Sequence, residues 1–333
     1  MDDLFTDALR QLLADQCTPQ LVRDIESGQP AAQLWKQLEE SGFADALVSE
    51  DQGGAGLSLP DVFPLLELCG SYAVPVPLAE TMLARALLAD AGVKWPEGSI
   101  TFGLGAASPD GRIHCSRVPC GQVADWVLMT HGGECVLLPV AEAETSPAVF
   151  PLDATLEWTA AAAREGAQRV PGEHDLRTLQ ACICAAQLAG ALMNVFSRTL
   201  QYANDRNQFG RPIGKFQAIQ HQLSVISEHT FAARMAAQIG CHSQGITPDR
   251  LRVAVAKART SEAALEVASL SHSIHGAIGF TEEFDLQLFT RRLHAWRQTA
   301  GSESYWQTVL GEALVDHQSG LTLDLVRTTT DIY

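Results

Sequence analysis

The sequence predicts a mainly α-helical protein with a small β domain set between two helical parts. Three observations predict it. Apolar residues recur at helical spacing from the N-terminus to about residue 95. Short apolar runs divided by Gly, Pro and Asp then follow to about residue 170, as strands do. Beyond that the helical period returns in four long stretches with short connections, the pattern of an antiparallel four-helix bundle. The expected organisation is a helical domain over 1–95, a small β domain over 96–170 and the bundle over 171–333.

In the first part, Leu9, Leu12 and Leu13, then Leu21, Val22 and Ile25, then Leu34, Trp35 and Leu38 mark helices, the last ending at Gly42. Gly53-Gly54-Ala55-Gly56 lacks a preceding strand and a Gly-Lys-Ser/Thr ending, so it reads as a tight turn and not a phosphate loop. Asp61 to Leu68 and Leu78 to Leu88 are two further helices, joined by an extended Val74-Pro75-Val76-Pro77. Four strands are expected over Ser99–Gly105, Arg112–Val118, Ala124–Thr130 and Glu134–Val140, with a loop over Thr159–Arg164.

The bundle begins with one helix from Leu176 to Asp205. A second runs from Gln217 to Ile239, with Ile219, Leu223, Ile226, Phe231 and Met235 expected on its inner side. Thr247-Pro248-Asp249 reads as an N-cap followed by Pro at the first helical position, opening a third helix to Ser273. Asp285 to Val315 holds the fourth, with a break expected at Gly301, and Leu321 to Tyr333 has no clear period.

Composition bounds the function. Of 333 residues, 46% are apolar and 19% charged, the balance of a globular chain. The net charge of −16 repels nucleic acid and anionic membrane, so neither is an expected partner. The eight Cys form no CxxC pair and no Cys/His cluster with metal spacing, so no metal is expected and they read as buried reduced thiols. Met1-Asp2-Asp3 lacks a signal-peptide pattern. The longest apolar stretch, Ala181 to Phe196, is interrupted by Gln187 and Asn194 and is too short to span a bilayer. A soluble, cytoplasmic protein without membrane insertion is expected.

Against this acidic background, Arg206-Asn207-Gln208-Phe209-Gly210-Arg211-Pro212-Ile213-Gly214-Lys215-Phe216 stands out as a basic turn between two helices. Arg offers phosphate a planar fork of donors. A solvated interhelical loop is the alternative reading on composition alone.

That segment, with Gln217, resembles a signature of the acyl-CoA dehydrogenases, and Ile274-His275-Gly276-Ala277-Ile278-Gly279-Phe280-Thr281 resembles a second. Trp35-x-x-Leu38 with Gly42, then Glu50-x-x-Gly53-Gly54-x-Gly56, is similar to the family's N-terminal domain. The resemblance covers nearly the whole chain. It implies FAD bound at a subunit interface. Arg206 takes the position that reaches the FAD pyrophosphate, with Gln208 as a polar contact. Phe209 and Ile213 would pack on the adenosine end with Phe216 nearby, and Gly276-Ala277 would let the backbone approach. Ser273 stands where a Gln contacts the diphosphate.

The chain also departs from the family. Its reaction needs a carboxylate to take the α-proton of an acyl-CoA thioester while hydride leaves the β-carbon to flavin. The two family positions for that base hold Ala300 and Gln180, neither of which accepts the proton. Ala181 replaces an Arg that helps hold CoA, and the loops that hold the flavin ring have no counterpart. The resemblance therefore implies one half of a heteromeric acyl-CoA dehydrogenase, contributing FAD contacts in trans to a second subunit that supplies the base. Such two-chain enzymes are known in the family, especially for bulky steroid-side-chain or ring-derived CoA thioesters.

Two alternatives stand beside this. One is a self-sufficient homo-oligomer using Glu303, which lies about 4.5 Å along a helix axis from position 300. The other is a non-redox scaffold on the same fold. Glu282 and Glu283 read as helix N-terminal acids. His275 reads as a hydrogen-bonded structural residue and His294 as part of a partly exposed helix face. Trp296, Tyr305 and Trp306 could line a ligand or subunit interface, with core the commoner reading for aromatic residues at helical spacing.

Overall fold

The computed structural model describes residues 2–108, 111–317 and 320–331. Met1, in the acidic N-terminus, and Tyr333, in the tail, lie outside the described residues. The chain divides into two compact units: Met1–Leu65 with Val74–Gln180 and Gln244–Ile246, and Leu66–Ala73 with Ala181–Ser243 and Thr247–Tyr333.

The first unit opens with helices α1 (Asp2–Gln16), α2 (Pro19–Glu26) and α3 (Ala32–Glu40). Thr18 caps α2 by accepting from Leu21 N, and Pro19 occupies the first turn, where no N–H is needed. Helices α4 (Leu59–Ser71), whose residues from Leu66 onward belong to the second unit, and α5 (Leu78–Asp90) follow. The Gly-rich piece is a turn, as expected. At Gly54 a Cβ would lie 2.1 Å from the Val48 carbonyl oxygen, so the crossing admits only glycine.

Strands β1 (Ile100–Ala107), β2 (Ile113–Val118), β3 (Trp126–His131) and β4 (Glu134–Pro139) match the four expected runs. Three more were not legible: β5 (Glu144–Pro147), β6 (Ala154–Trp158) and β7 (Gln168–Val170). The sheet order is β5-β6-β2-β1-β3-β4-β7, with β1 and β3 parallel and the other pairs antiparallel. Its core gathers Ile113, Val118, Val127, Met129, Leu138, Leu156 and Trp158. The expected loop over Thr159–Arg164 is instead helix α6 (Ala160–Glu165). Its Ala run has high helix propensity, and Thr159 caps it by accepting from Ala162 N.

Arg85 is 3% exposed and binds the sheet entrance to the helices. Its guanidinium donates to Asp45 at 3.0 Å, to Glu39 and to the Gly98 carbonyl at 2.9 Å. Three acceptors offset the desolvation of the buried cation.

Helix α7 (Leu176–Asp205) has the expected bounds. It is long and apolar enough to cross a membrane by length and composition, and 83% of its most apolar window is buried. The second unit adds hairpin strands β8 (Asn207–Gln208) and β9 (Arg211–Pro212), then α8 (Gln217–Gly240), α9 (Arg250–His275), α10 (Leu286–Gln298), α11 (Glu303–Asp316) and α12 (Thr322–Thr330).

Several details correct the sequence reading. Phe231 and Met235 are 48% and 52% exposed and do not lie on the inner side of α8. That side is Leu223, Ile226, Thr230, Ala233, Ala237 and Gly240, mostly small residues. They let α8 approach α9 closely: a Cβ at Gly240 would lie 2.6 Å from that of Ala256. The cap of α9 is Asp249, accepting from Arg252 N at 2.9 Å, and not Thr247. Glu282 and Glu283 precede α10 in a turn and are exposed, outside its first helical turn. The C-terminal tail forms α12, closed at its start by Asp324 accepting from Leu321 N at 2.9 Å. Seven of the eight free Cys are buried, and Cys120 is half-buried.

Candidate functional site

Helix α7 ends where Arg206 N donates to Tyr202 O at 2.9 Å. The chain then folds into the β8–β9 hairpin, with Asn207 opposite Pro212 and Gln208 opposite Arg211. The two residues between, Phe209 and Gly210, both take left-handed backbone angles, φ 52° and 80°. Two left-handed residues are what a two-residue hairpin of this hand requires. The hairpin closes as Ile213 N donates to Arg206 O at 2.8 Å.

This geometry pushes Phe209 outward, 92% exposed, beside the edge of Phe216 at 6.1 Å between ring centroids. Arg211 covers the other part of Phe216, with its guanidinium carbon 4.3 Å from the ring centroid. Arg206 and Gln208 are exposed, Phe216 is half-buried, and Ile213 is buried within its own chain at 8%. The Arg206 guanidinium makes no hydrogen bond or ion pair among the described residues.

The second segment begins where α9 ends at His275. Gly276 follows at φ 62°, ψ −144°, a conformation that favours glycine. A Cβ there would meet nothing within 4 Å, so Gly276 presents bare backbone to solvent, with Ala277 exposed beside it. Ser273 is exposed and accepts from Gln222 of α8 at 3.4 Å. Phe280 is 70% exposed yet stacks on His272, centroids 4.2 Å apart.

Tyr202 brings the two segments together. Its ring stacks on His275 at 4.3 Å, and its hydroxyl donates to the His275 carbonyl at 3.3 Å. His275 is 4% exposed and its Nδ1 contacts the Ser271 carbonyl at 2.7 Å, so that nitrogen carries the proton. Nε2 is left as a buried acceptor without a partner in the described residues. Burial pushes the His275 imidazole below its ordinary range. Burial also lowers His272, helped by His275 and His294, and lowers His294, helped by Arg297. Sequence reasoning missed Tyr202; its one signal was a position one helical turn ahead of Arg206.

The positions expected for a base are occupied by groups that cannot take a proton in this role. Gln180, 4% exposed, donates to the Phe102 carbonyl at 3.4 Å. Ala300 is 7% exposed, at φ 58°, and the break at Gly301 falls where expected, between α10 and α11. Glu303 opens α11 and is paired to Arg297, the two side chains 19% and 15% exposed. Trp306 is fully buried and donates to the Ala300 carbonyl at 3.2 Å, in keeping with a core role. The described residues contain no His/Cys/Asp/Glu group able to hold a metal ion.

The family model "Acyl-CoA dehydrogenase, C-terminal domain" matches residues 178–315. Acyl-CoA dehydrogenase IpdE2 of Mycolicibacterium smegmatis is 31% identical over 315 residues, covering 90% of this chain and 94% of that protein. The ChsE4–ChsE5 complex of Mycobacterium tuberculosis contains a chain of the same fold, with TM-score 0.82, 20% identity and coverage of 96% of this chain and 98% of that one. The Tcur3481–Tcur3483 steroid acyl-CoA dehydrogenase variant gives TM-score 0.82, 24% identity and coverage of 96% and 99%. This chain belongs to the acyl-CoA dehydrogenase family.

Proposed function

We propose that this chain is the subunit without a base in a heteromeric, FAD-dependent acyl-CoA dehydrogenase. It would hold the ADP end of an FAD seated mainly in a second, related chain. The observation that carries this reading is the pairing of an intact outward-facing turn with vacated base positions, Ala300 and Gln180. The two-chain assemblies of the same fold named above support it. The steroid enzyme among them points to bulky acyl-CoA thioesters as the substrate class, and a cytoplasmic location suits such an enzyme.

The residues present fit the diphosphate part of FAD. An exposed guanidinium without an internal partner offers two parallel donors to phosphate oxygens. The uncovered backbone at Gly276 allows close approach. Phe209 and Phe280 present exposed ring faces suited to an adenine or ribose edge. Gln208 adds a neutral donor and acceptor, and Ser273 a hydroxyl. When bound, FAD supplies the hydride acceptor for the substrate β-carbon. This chain's own work is to bind and orient: Arg206 neutralises phosphate charge, and the hairpin keeps Phe209 and Phe216 in fixed register. The α-proton would go to a carboxylate of the partner subunit.

The chain purified alone is expected to be colourless, and the complex with its partner subunit yellow. That complex should be bleached by acyl-CoA, with bleaching retained in Glu303→Gln. A yellow protein from this chain alone, whose bleaching disappears in Glu303→Gln, sinks the proposal in favour of a self-sufficient enzyme.

A further inference from the structure

Lys257 is fully buried at 0% exposure, and the functional reading above makes no use of it. It sits on α9 within an apolar run, Val253-Ala254-Val255-Ala256-Lys257-Ala258. Its Nζ donates to Arg297 O at 3.0 Å, Gly301 O at 3.0 Å and Ser261 Oγ at 3.1 Å. An ammonium has three protons, and all three are used. We infer that Lys257 is the positioning residue of the α10–α11 turn, fixing the backbone of residues 297–301 and with it the Arg297–Glu303 pair.

The turn needs such a fixture. Ala300 at φ 58° is in the left-handed region that disfavours a side chain, and Gly301 follows at φ 110°. A Cβ on Gly301 would lie 2.7 Å from Tyr305 Cδ1 and 2.9 Å from Trp306 Nε1. A non-glycine residue held in that region needs surrounding contacts to stabilise it. Here Lys257 grips the carbonyls of residues 297 and 301, and Trp306 grips that of residue 300. The ammonium also neutralises carbonyls at the C-terminal end of α10, where the helix dipole favours a cation.

Burial of a lysine without a contacting carboxylate is unfavourable. Desolvation pulls Lys257 down to about 8; Cys184 of α7 and Glu303 of α11 oppose that shift, and Arg297 of α10 adds to it. The arrangement still tolerates loss of the proton. A neutral amine keeps two donors for the two carbonyls, and the Ser261 hydroxyl can turn to donate to the nitrogen. The two carbonyls are therefore held in both states, and Ser261, itself 0% exposed, is indispensable as the third acceptor only while the nitrogen is charged. None of this geometry involves the cofactor, so it stands or falls separately from the FAD proposal.

The test uses the full-length chain in the assembly in which it purifies. In Lys257→Met, amide exchange of residues 299–306 should accelerate about tenfold or more while exchange in α8 stays unchanged. Wild-type exchange in that turn overturns the inference. Ser261→Ala is the milder second variant, informative even when Lys257→Met fails to fold. At about pH 7 its ammonium has three protons for two acceptors; at about pH 9.5 its amine has two protons for two. Its drop in denaturation midpoint below wild type should be larger at the lower pH. An equal drop at both pH values overturns the assignment.

Discussion

Tyr202 and His275 form a parallel stack, centroids 4.3 Å apart at 23°, closed by a hydrogen bond from the Tyr202 hydroxyl to the His275 carbonyl. One residue lies a helical turn before Arg206, and the other directly before Gly276. The stack therefore fixes the basic hairpin and the bare-backbone segment relative to each other. Tyr202→Phe keeps the rings and loses one hydrogen bond, so it should cost about 0.5–1.5 kcal/mol in chemical denaturation. Tyr202→Ala removes the ring and should cost about 2–4 kcal/mol. Under the proposed function it should also weaken FAD binding by the complex, read as flavin released on dilution.

Arg206→Ala should weaken FAD retention by the assembled enzyme about tenfold or more, the ~1.5–3 kcal/mol of a charge-assisted hydrogen bond. Arg206→Lys should fall between, since an ammonium is a point charge without the bidentate fork. Flavin fluorescence in an equilibrium titration measures both. Unchanged affinity in Arg206→Ala removes this residue from the site.

The histidines set an acid limit. Burial lowers His275, His272 and His294 below the ordinary value of 6.5, so the folded state resists protonation more than the unfolded chain does. The sign follows: stability is full above pH 6.5 and falls as pH drops below it, because the unfolded chain takes up these protons first. Denaturation midpoints between about pH 7.5 and pH 5 should decline, and His275→Phe should make the decline shallower.

Two glycines on helices should respond in opposite directions. At Gly190 of α7 a Cβ would lie 1.9 Å from the Glu67 carbonyl oxygen, backbone that cannot rotate away. Gly190→Ala should destabilise by about 1–3 kcal/mol. At Gly311 of α11 a Cβ meets nothing within 4 Å. Gly311→Ala should stabilise by about 0.5–1 kcal/mol through helix propensity. Thermal unfolding of the two variants distinguishes packing from propensity.

Periodicity located most elements because long helices and buried strands repeat their apolar residues over many positions. The bounds of α7 were readable to the residue. Short elements were not. β5 has all four residues exposed, so no alternation marks it, and β7 has only three residues. The inner side of α8 was misassigned at Phe231 and Met235 because close approach of α9 selects small residues over large apolar ones. A pattern of hydrophobicity cannot anticipate that selection.

The family, the basic turn at Arg206 and the presence of Ala rather than a carboxylate at position 300 were legible in the amino-acid order, since each depends on residue identity at a fixed spacing. The tertiary structure alone decided that Glu303 is paired to Arg297, that Ile213 is buried while Phe209 is exposed, and that Lys257 reaches two carbonyls of the turn holding Ala300. Those facts depend on which groups from distant parts of the chain meet. Burial and partners set the chemistry of a charge or a ring, and they exist only once the helices have packed.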